Sequence, residues 1–412
     1  MVQLPAQLPS LSRRAALISA LGLALPRQAA AQESNIGPGT GFGRAMERLG
    51  DRLLATGLAN PAGNHLLSPW SIQAALGLLA LGARGRTEAE LVQLLAGLRG
   101  DRKQLVTALR GARFAMQRAT SDAARLRRGE TGWARLDRGF LPEWQELAGE
   151  ALNARGRRVD FGGDRAVPAI NAWAARETNG MIPRIVDELP RETDFVLTSA
   201  IHFEGRWANP FDPTLTSPMP FRTAAGAASD VPMMRGEFDL AYGSAGAGHA
   251  VRLPYAGGRM ALWVMTAERA ENSTSYVQTL RQQGVTAYLR TIPFRVQRVQ
   301  ATLPRFSFGG GADMLPALNA NGFANLLGGS ADLRGITGRT TAVSAVLHQA
   351  RIGVDERGTV AAAATAVIAS RSMRLDIAEF TADRPFAFVL GVANPFLPLF
   401  VGHVGDAANA RA

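Results

Sequence analysis

The stretch VDERGTVAAAATAVIASRSMR, residues 354–374, decides how the rest of the chain is read. Between an acidic-basic lead and two arginines, Arg371 and Arg374, run twelve consecutive small or apolar residues, Thr359 to Ser370. Alanine has the best intrinsic helix propensity, so a buried helix is one reading. A surface helix would carry a polar stripe, and none is present. Threonine, valine and isoleucine are interspersed, and a strand buried on both faces reads as just such an uninterrupted apolar run. The segment also suits a chain that is loop at one time and strand at another.

Working outward, the 412-residue chain is 47% hydrophobic and 19% charged, which marks it as globular. Its net charge of +11 and pI near 11.1 first suggest a polyanionic partner. Yet Lys103 is the single lysine, so 44 of the 45 basic residues are arginine. That bias, with many Ala and Gly, reads as a GC-rich bacterial genome rather than a nucleic-acid surface, and no nucleic-acid partner is expected. The arginines are scattered, with local clusters only at Arg125, Arg127, Arg128 and at Arg155, Arg157, Arg158. With no cysteine, disulfides, thiolate metal sites and cysteine nucleophiles are excluded.

The N-terminus LSRRAALISALGLALPRQAAAQE has a charged start at Arg13 and Arg14, an apolar run over residues 15–26, and Ala29-Ala30-Ala31 as a small-residue cleavage site. Residues 1–31 therefore read as a signal peptide of twin-arginine type, too short to span a bilayer. Its removal takes away three positive charges and leaves +8. The expectation is an exported protein, periplasmic or extracellular, with a flexible leader over 32–41 and no membrane span.

Helical patterns follow at 42–58, 71–81 and 88–98, the second opened by Ser68-Pro69. From residue 195 the texture turns to strands: FVLTSAIHFEGRW, VRLPYAGGRMALWVM and VQATLPRFSF are rich in β-branched and aromatic residues. Pro254 to Gly258 reads as a hairpin turn, and 314–321 as one more helix. No repeat or linker divides the chain, so a single α+β domain over 42–406 is expected. A search for catalysis finds no HExxH among the five histidines, no GxSxG, and neither SxxK nor GxxxxGK around Lys103. His65 and His249 lie beside turns and read as solvated loop histidines; Glu88 and Glu90 read as solvated on a helix. Nothing assembles an active site, and neither enzyme activity, metal nor cofactor is expected.

The ordered motifs resemble one family, the serpins. NHLLSPWSIQAALGLLALGARGRTEAEL (64–91), INAWAARETNGMIPRIV (170–186) and LTSAIHFEGRWANPF (197–211) are similar to three of its blocks. VPMMRG, LPYAGG, LPRFSF, VDERGTVAAAAT, FTADRPFAFVL and LFVGHV follow in the family's order, so that the resemblance covers nearly all of 42–404. It implies the serpin fold, three β-sheets with about eight or nine helices and an exposed reactive-centre loop at about 356–380. It implies a monomeric inhibitor whose loop is cleaved by a serine protease, becomes acyl-linked to it, and inserts into the large sheet.

On that reading Glu356, Gly358, Thr359, Val360, Ala361, Ala362, Ala363 and Ala364 form the hinge. Thr359, Ala361, Ala363, Thr365, Val367 and Ala369 would form one face of the inserted strand, and Val360, Ala362, Ala364, Ala366 and Ile368 the other. Neither face carries a charge, and burying one ion would cost several kcal/mol. Val360 departs from the family's usual Glu or small residue. Family spacing from Glu356 places the scissile bond at Ser372-Met373, and one residue shorter at Arg371-Ser372. Arginine gives a protease pocket a charge-assisted bidentate anchor, so Arg371-Ser372 and a trypsin-like target are expected. Ser372-Met373, suited to elastase- or subtilisin-like proteases, is the alternative, and Arg374-Leu375 a third. The resemblance further assigns Ser68, Ser71 and His348 to a hydrogen-bonded shutter, with Ser199 replacing a usual Asn, and Trp207 to the head of the sheet. Arg102, Lys103, Arg110 and Arg113 are candidates for polyanion binding. The rival expectation is a non-inhibitory member acting as a binding or storage protein.

Overall fold

The structure is a computed structural model that describes residues 41–97, 101–359 and 377–410. The proposed signal peptide, hinge residues Val360 to Ala364 and the bonds at Arg371, Ser372 and Met373 lie outside the described residues.

Helices α1 (Gly41–Gly57), α2 (Pro69–Gly82), α3 (Gly85–Ala96), α4 (Arg102–Ala119), α5 (Pro142–Leu152) and α6 (Ala166–Glu177) dominate the first half, joined by α7 (Ser273–Gln283) and α8 (Val285–Leu289). The three helices read from periodicity at 42–58, 71–81 and 88–98 are found with ends shifted by one to three residues. Helix α2 starts where Ser68 takes an extended conformation and its Oγ accepts the Ser71 N–H at 3.1 Å, with Pro69 in the first turn. Every residue of α2 is buried, which explains its lack of a polar face. The helix read at 314–321 keeps only Leu315–Leu318 as α-helix before the chain kinks at Asn321 and Gly322.

The strands are β1 (His65–Leu67), β2 (Ala124–Arg135), β3 (Arg157–Val159), β4 (Phe195–Arg206), β5 (Ser217–Arg222), β6 (Ala228–Ala245), β7 (Gly248–Pro254), β8 (Met260–Ala267), β9 (Arg295–Pro304), β10 (Phe306–Asp313), β11 (Val343–Asp355), β12 (Gly358–Thr359), β13 (Ala378–Thr381), β14 (Phe386–Val392) and β15 (Leu397–Val404). A six-stranded sheet runs in the order β10-β11-β12-β4-β2-β3. A nine-stranded sheet runs β1-β15-β14-β8-β7-β6-β9-β13, with β5 on β6. Three sheets were expected, and hydrogen bonding joins two of them here. The 18-residue strand β6 pairs with β5 and β9 over its first part and with β7 over its last, so one ladder runs through both.

VQATLPRFSF, read as one strand-rich stretch, divides between the sheets: β9 ends at Pro304, Arg305 donates its N–H to Pro232 O, and β10 begins in the other sheet. The two histidines expected in solvated turns stand in strands, because β1 and β7 reach into those turns. His65 opens β1 half-buried, its ring stacked on His403. His249 is buried in β7 with Nδ1 3.1 Å from the Tyr242 hydroxyl. Glu88 and Glu90 are half-buried and ion-paired, to Arg102 and Arg86, rather than solvated.

The main core lies between the sheets and α2, and a second, smaller one lies beneath α6, where Trp173 and Ile170 pack on Trp133, Val196 and Leu347 of the six-stranded sheet. The two faces of that sheet are thus both covered, one by the main core and one by α6.

Candidate functional site at the head of the six-stranded sheet

Strands β4 and β11 lie side by side and parallel, with Ser199 opposite His348 and His202 opposite Arg351. Beyond Arg351 they part. Between their C-terminal ends sits β12, two residues long and antiparallel to both: Thr359 faces Val354 on one side and Gly205 on the other. A chain entering here can satisfy its backbone groups on both edges, through antiparallel ladders, which are slightly more stable per residue than the parallel one they would replace.

The turn that delivers β12 is built from Asp355, Glu356, Arg357 and Gly358. Asp355 Oδ1 accepts the N–H groups of Arg357 and Gly358 at 2.8 and 3.0 Å, the side-chain-to-backbone bonding that favours Asp in turns. Gly358 has φ +154°, and a Cβ there would stand 1.9 Å from Gly205 O. Only glycine fits so close a backbone approach. Glu356 is buried and gripped by Arg305, whose Nε lies 2.7 and 2.8 Å from its two oxygens, while Thr216 Oγ1 donates at 2.5 Å. Burial alone would raise the Glu356 carboxyl, but these charge-assisted bonds outweigh it and hold it below the usual carboxylate range.

Trp207 closes the turn from β4's side. Its backbone N–H donates to Arg357 O and its Nε1–H to Asp355 O, both at 2.9 Å. Its ring stacks on Tyr255 at 4.6 Å, and Phe203 meets the same ring edge-on at 4.8 Å. The Tyr255 hydroxyl and Thr359 Oγ1, both fully buried, share a hydrogen bond of 2.5 Å. Burial pushes the Tyr255 phenol far up, so it stays protonated. Sequence reasoning placed Glu356, Gly358, Thr359 and Trp207 at this site and missed Arg305, Thr216 and Tyr255. Tyr255 was read only as part of a hairpin turn; an aromatic between Pro254 and Ala256, just ahead of Gly257-Gly258, was the available signal.

Deeper in the same strand pair, the four shutter residues come together. His348 Nε2 accepts the Ser68 N–H at 3.0 Å, which fixes the ring proton on Nδ1, 3.3 Å from Ser199 Oγ. Burial lowers the His348 pKa to about 4, so the imidazole is neutral. Ser71 joins only through its backbone N–H; its own Oγ has no partner among the described residues. The Ser199–His348 contact bridges the two strands along their parallel ladder.

The four polyanion candidates on α4 are not a free cationic row. Arg102 is ion-paired to Glu88 and Glu143, Arg110 to Glu150, and Arg113 donates to the carbonyls of Glu150 and Ala151. Lys103 is exposed. Among the described residues no group of three or more His, Asp or Glu could hold a metal ion, and no helix is long and apolar enough to cross a membrane.

With this geometry in hand, comparison with known proteins is informative. A family model described as "Serpin (serine protease inhibitor)" matches residues 45–407. "Leukocyte elastase inhibitor" of Bos taurus is 31% identical over 369 residues, 84% of this chain and 94% of that protein. "Iripin-3" of Ixodes ricinus is 30% identical over 371 residues, 87% and 93%. Among solved structures, Serpin48 of Tenebrio molitor superposes with a TM-score of 0.78 at 26% identity, covering 89% of this chain and 98% of that one. Arabidopsis AtSerpin1 in its native stressed conformation gives 0.77 at 24% identity, covering 89% and 98%, and speaks to fold alone.

Proposed function

This chain belongs to the serpin family, and from that premise we propose that it is a bacterial, exported, monomeric suicide-substrate inhibitor of a trypsin-like serine protease. The observation that carries the reading is β12: a hinge residue, Thr359, already seated between two parallel strands and followed in sequence by eleven uncharged residues. In this mechanism the protease's serine oxygen attacks the Arg371 carbonyl carbon, and the Arg371-Ser372 bond breaks with its amine leaving on Ser372. The acyl-linked strand then enters between β4 and β11 before water can hydrolyse the ester.

Continuing the observed register supports the geometry. Val360 would oppose Glu204, Ala364 would oppose Ala200, and Ala369 would oppose Phe195, the first residue of β4. Thus ten further residues fill the strand, about 33 Å of travel beyond Thr359. Arg371 and Ser372 fall two and three residues past that foot, whereas Arg374 falls five past it and would overrun the ladder. The register therefore disfavours Arg374-Leu375 and leaves Ser372-Met373 as the second reading, one that the elastase inhibitors among the relatives also favour. Export rests on the leader at residues 1–31 and the bacterial source on the arginine bias.

The test is incubation with trypsin, a denaturing gel, and mass spectrometry of the released C-terminal peptide. An SDS-stable complex with a peptide starting at Ser372 is expected. A complex with a peptide starting at Met373 keeps the mechanism and moves the bond. Cleavage without a complex overturns inhibition of this class of protease and favours the non-inhibitory binding protein.

A further inference from the structure

The two arginine clusters that stand out in the sequence, near 127 and near 157, belong to different elements. Strand β2 carries the first; β3 and the turn before it carry the second. Parallel pairing of Trp133 with Arg157 and of Ala134 with Arg158 brings these elements together at one edge of the six-stranded sheet. There they open on a cleft of about 630 Å³ whose other walls are α4 and α6.

Six guanidinium groups border this cleft, those of Arg113, Arg127, Arg128, Arg155, Arg157 and Arg176, against two carboxylates. Both carboxylates are already engaged. Glu130 accepts from Arg128 at 2.6 Å and from Trp70 Nε1 at 3.2 Å, and Glu177 accepts from Arg176 at 2.9 Å. The remaining four arginines have no carboxylate partner among the described residues. Arg113 donates to two carbonyls at the C-terminus of α5, each at 3.3 Å, and lies over the Phe114 ring at 4.7 Å, while Arg157 lies over the Trp133 ring at 6.0 Å. Arg127 and Arg155 are exposed, and their side chains make no hydrogen bond among the described residues. Six cations against two anions leave a local charge of +4. Burial lowers the Arg113 pKa, and the charges of Arg128 in the cleft and Arg110 outside it lower it further.

We propose that this cleft binds a compact multivalent oxyanion, a small molecule carrying several phosphate or sulfate groups. Planar guanidinium groups match phosphate and sulfate oxygens bidentately, and only a multiply charged ligand would balance four uncompensated cations converging from three sides. The cleft's volume is that of a small-molecule site. The arrangement shares only Arg113 with the row on α4 suggested by sequence, where Arg102 and Arg110 already hold carboxylates. It goes beyond the inhibitory reading and holds whether or not the chain traps a protease.

The experiment is titration calorimetry of the protein with tripolyphosphate and, separately, with sucrose octasulfate at low ionic strength. Saturable one-to-one binding by at least one probe is expected; binding by one alone assigns the site to phosphate or to sulfate chemistry. The double variant Arg127→Gln/Arg155→Gln removes two exposed groups without internal contacts and should weaken binding about tenfold or more per arginine removed. The control pair Arg235→Gln/Arg295→Gln removes the same charge from exposed positions on the other sheet and should leave affinity within about twofold. No saturable binding of either probe overturns the proposal. So does an equal loss in the control pair, which would reduce the effect to net charge.

Discussion

If the loop enters along the register set by β12, Thr365 arrives between Ser199 on β4 and His348 on β11, on the face those two side chains share. It must break the 3.3 Å contact between them. Its hydroxyl can then replace that contact, accepting from His348 Nδ1–H and donating to Ser199 Oγ. Thr365→Val keeps the shape and removes both bonds, leaving two buried polar groups unpaired. At about 1–3 kcal/mol for each orphaned group, the inserted form should lose roughly 2–6 kcal/mol. Unfolding entropy near 2 cal/mol/K per residue over 363 matched residues gives about 0.8 kcal/mol per degree, so the cleaved variant should melt about 3–8 °C below cleaved wild type. Melting is best followed in guanidinium chloride, which brings a very stable form into range. The intact variant should match intact wild type within about 1 °C, because on this reading residue 365 enters the sheet only after cleavage. Equal melting of the two cleaved forms would refute the register, and with it the claim that Thr365 lies at the shutter.

The same register separates two neighbouring alanines. Ala361 would face the main core opposite Phe203, whereas Ala362 would oppose His202 and Arg351 on the α6 side. Ala361→Glu buries an unpaired carboxylate and should turn the protein into a cleaved substrate; Ala362→Glu finds Arg351 and should still form the SDS-stable complex, so identical behaviour of the two would sink the assignment of faces. Stability should also fall with acid. Burial holds His249, His348 and His403 at about 4, below the unfolded value of 6.5, so their contribution is complete above pH 6.5 and is lost as pH falls towards 4. Asp51, raised by burial to about 6, works in the opposite sense, since its native form takes up a proton before the unfolded chain does, and it offsets one of the three. Two net protons give a slope of roughly 2–3 kcal/mol per pH unit near pH 5, and His202, also lowered by burial, acts in the same direction; urea unfolding at pH 7.5, 5.5 and 4.5 reads it, and a flat profile would contradict it.

Much of this was legible in the chain because the informative constraints are local. Helices α1 to α3 show themselves by apolar spacing and by the Ser68-Pro69 start, and Gly358 by its place before a run of alanines. What escaped depends on partners far away in sequence. Nothing near Arg305 says that β9 and β10 part company there, because sheet membership is decided by strands some thirty or more residues distant. Tyr255 looks like any turn aromatic until Thr359 is placed against its hydroxyl. The arginine clusters were discounted by composition, and composition cannot show which cations find carboxylates and which are left facing one another.

The alternation of sizes in the loop is consistent with the cavity it would fill. On the core-facing side, Ala361 would fall between Phe203 and Ile352, so a small residue meets two large neighbours, and Ala363 between Ile201 and Ala350. Alanine also loses no side-chain entropy on ordering, whereas a glycine run would raise the backbone cost and a leucine run would not fit. Threonine at 365 is then the exception that the shutter requires, since it meets the two polar side chains on that line. A sequence that looked featureless by helix rules is thus specified position by position once its two neighbours are β4 and β11. On this reading the constraint on the segment comes from the sheet it enters after cleavage.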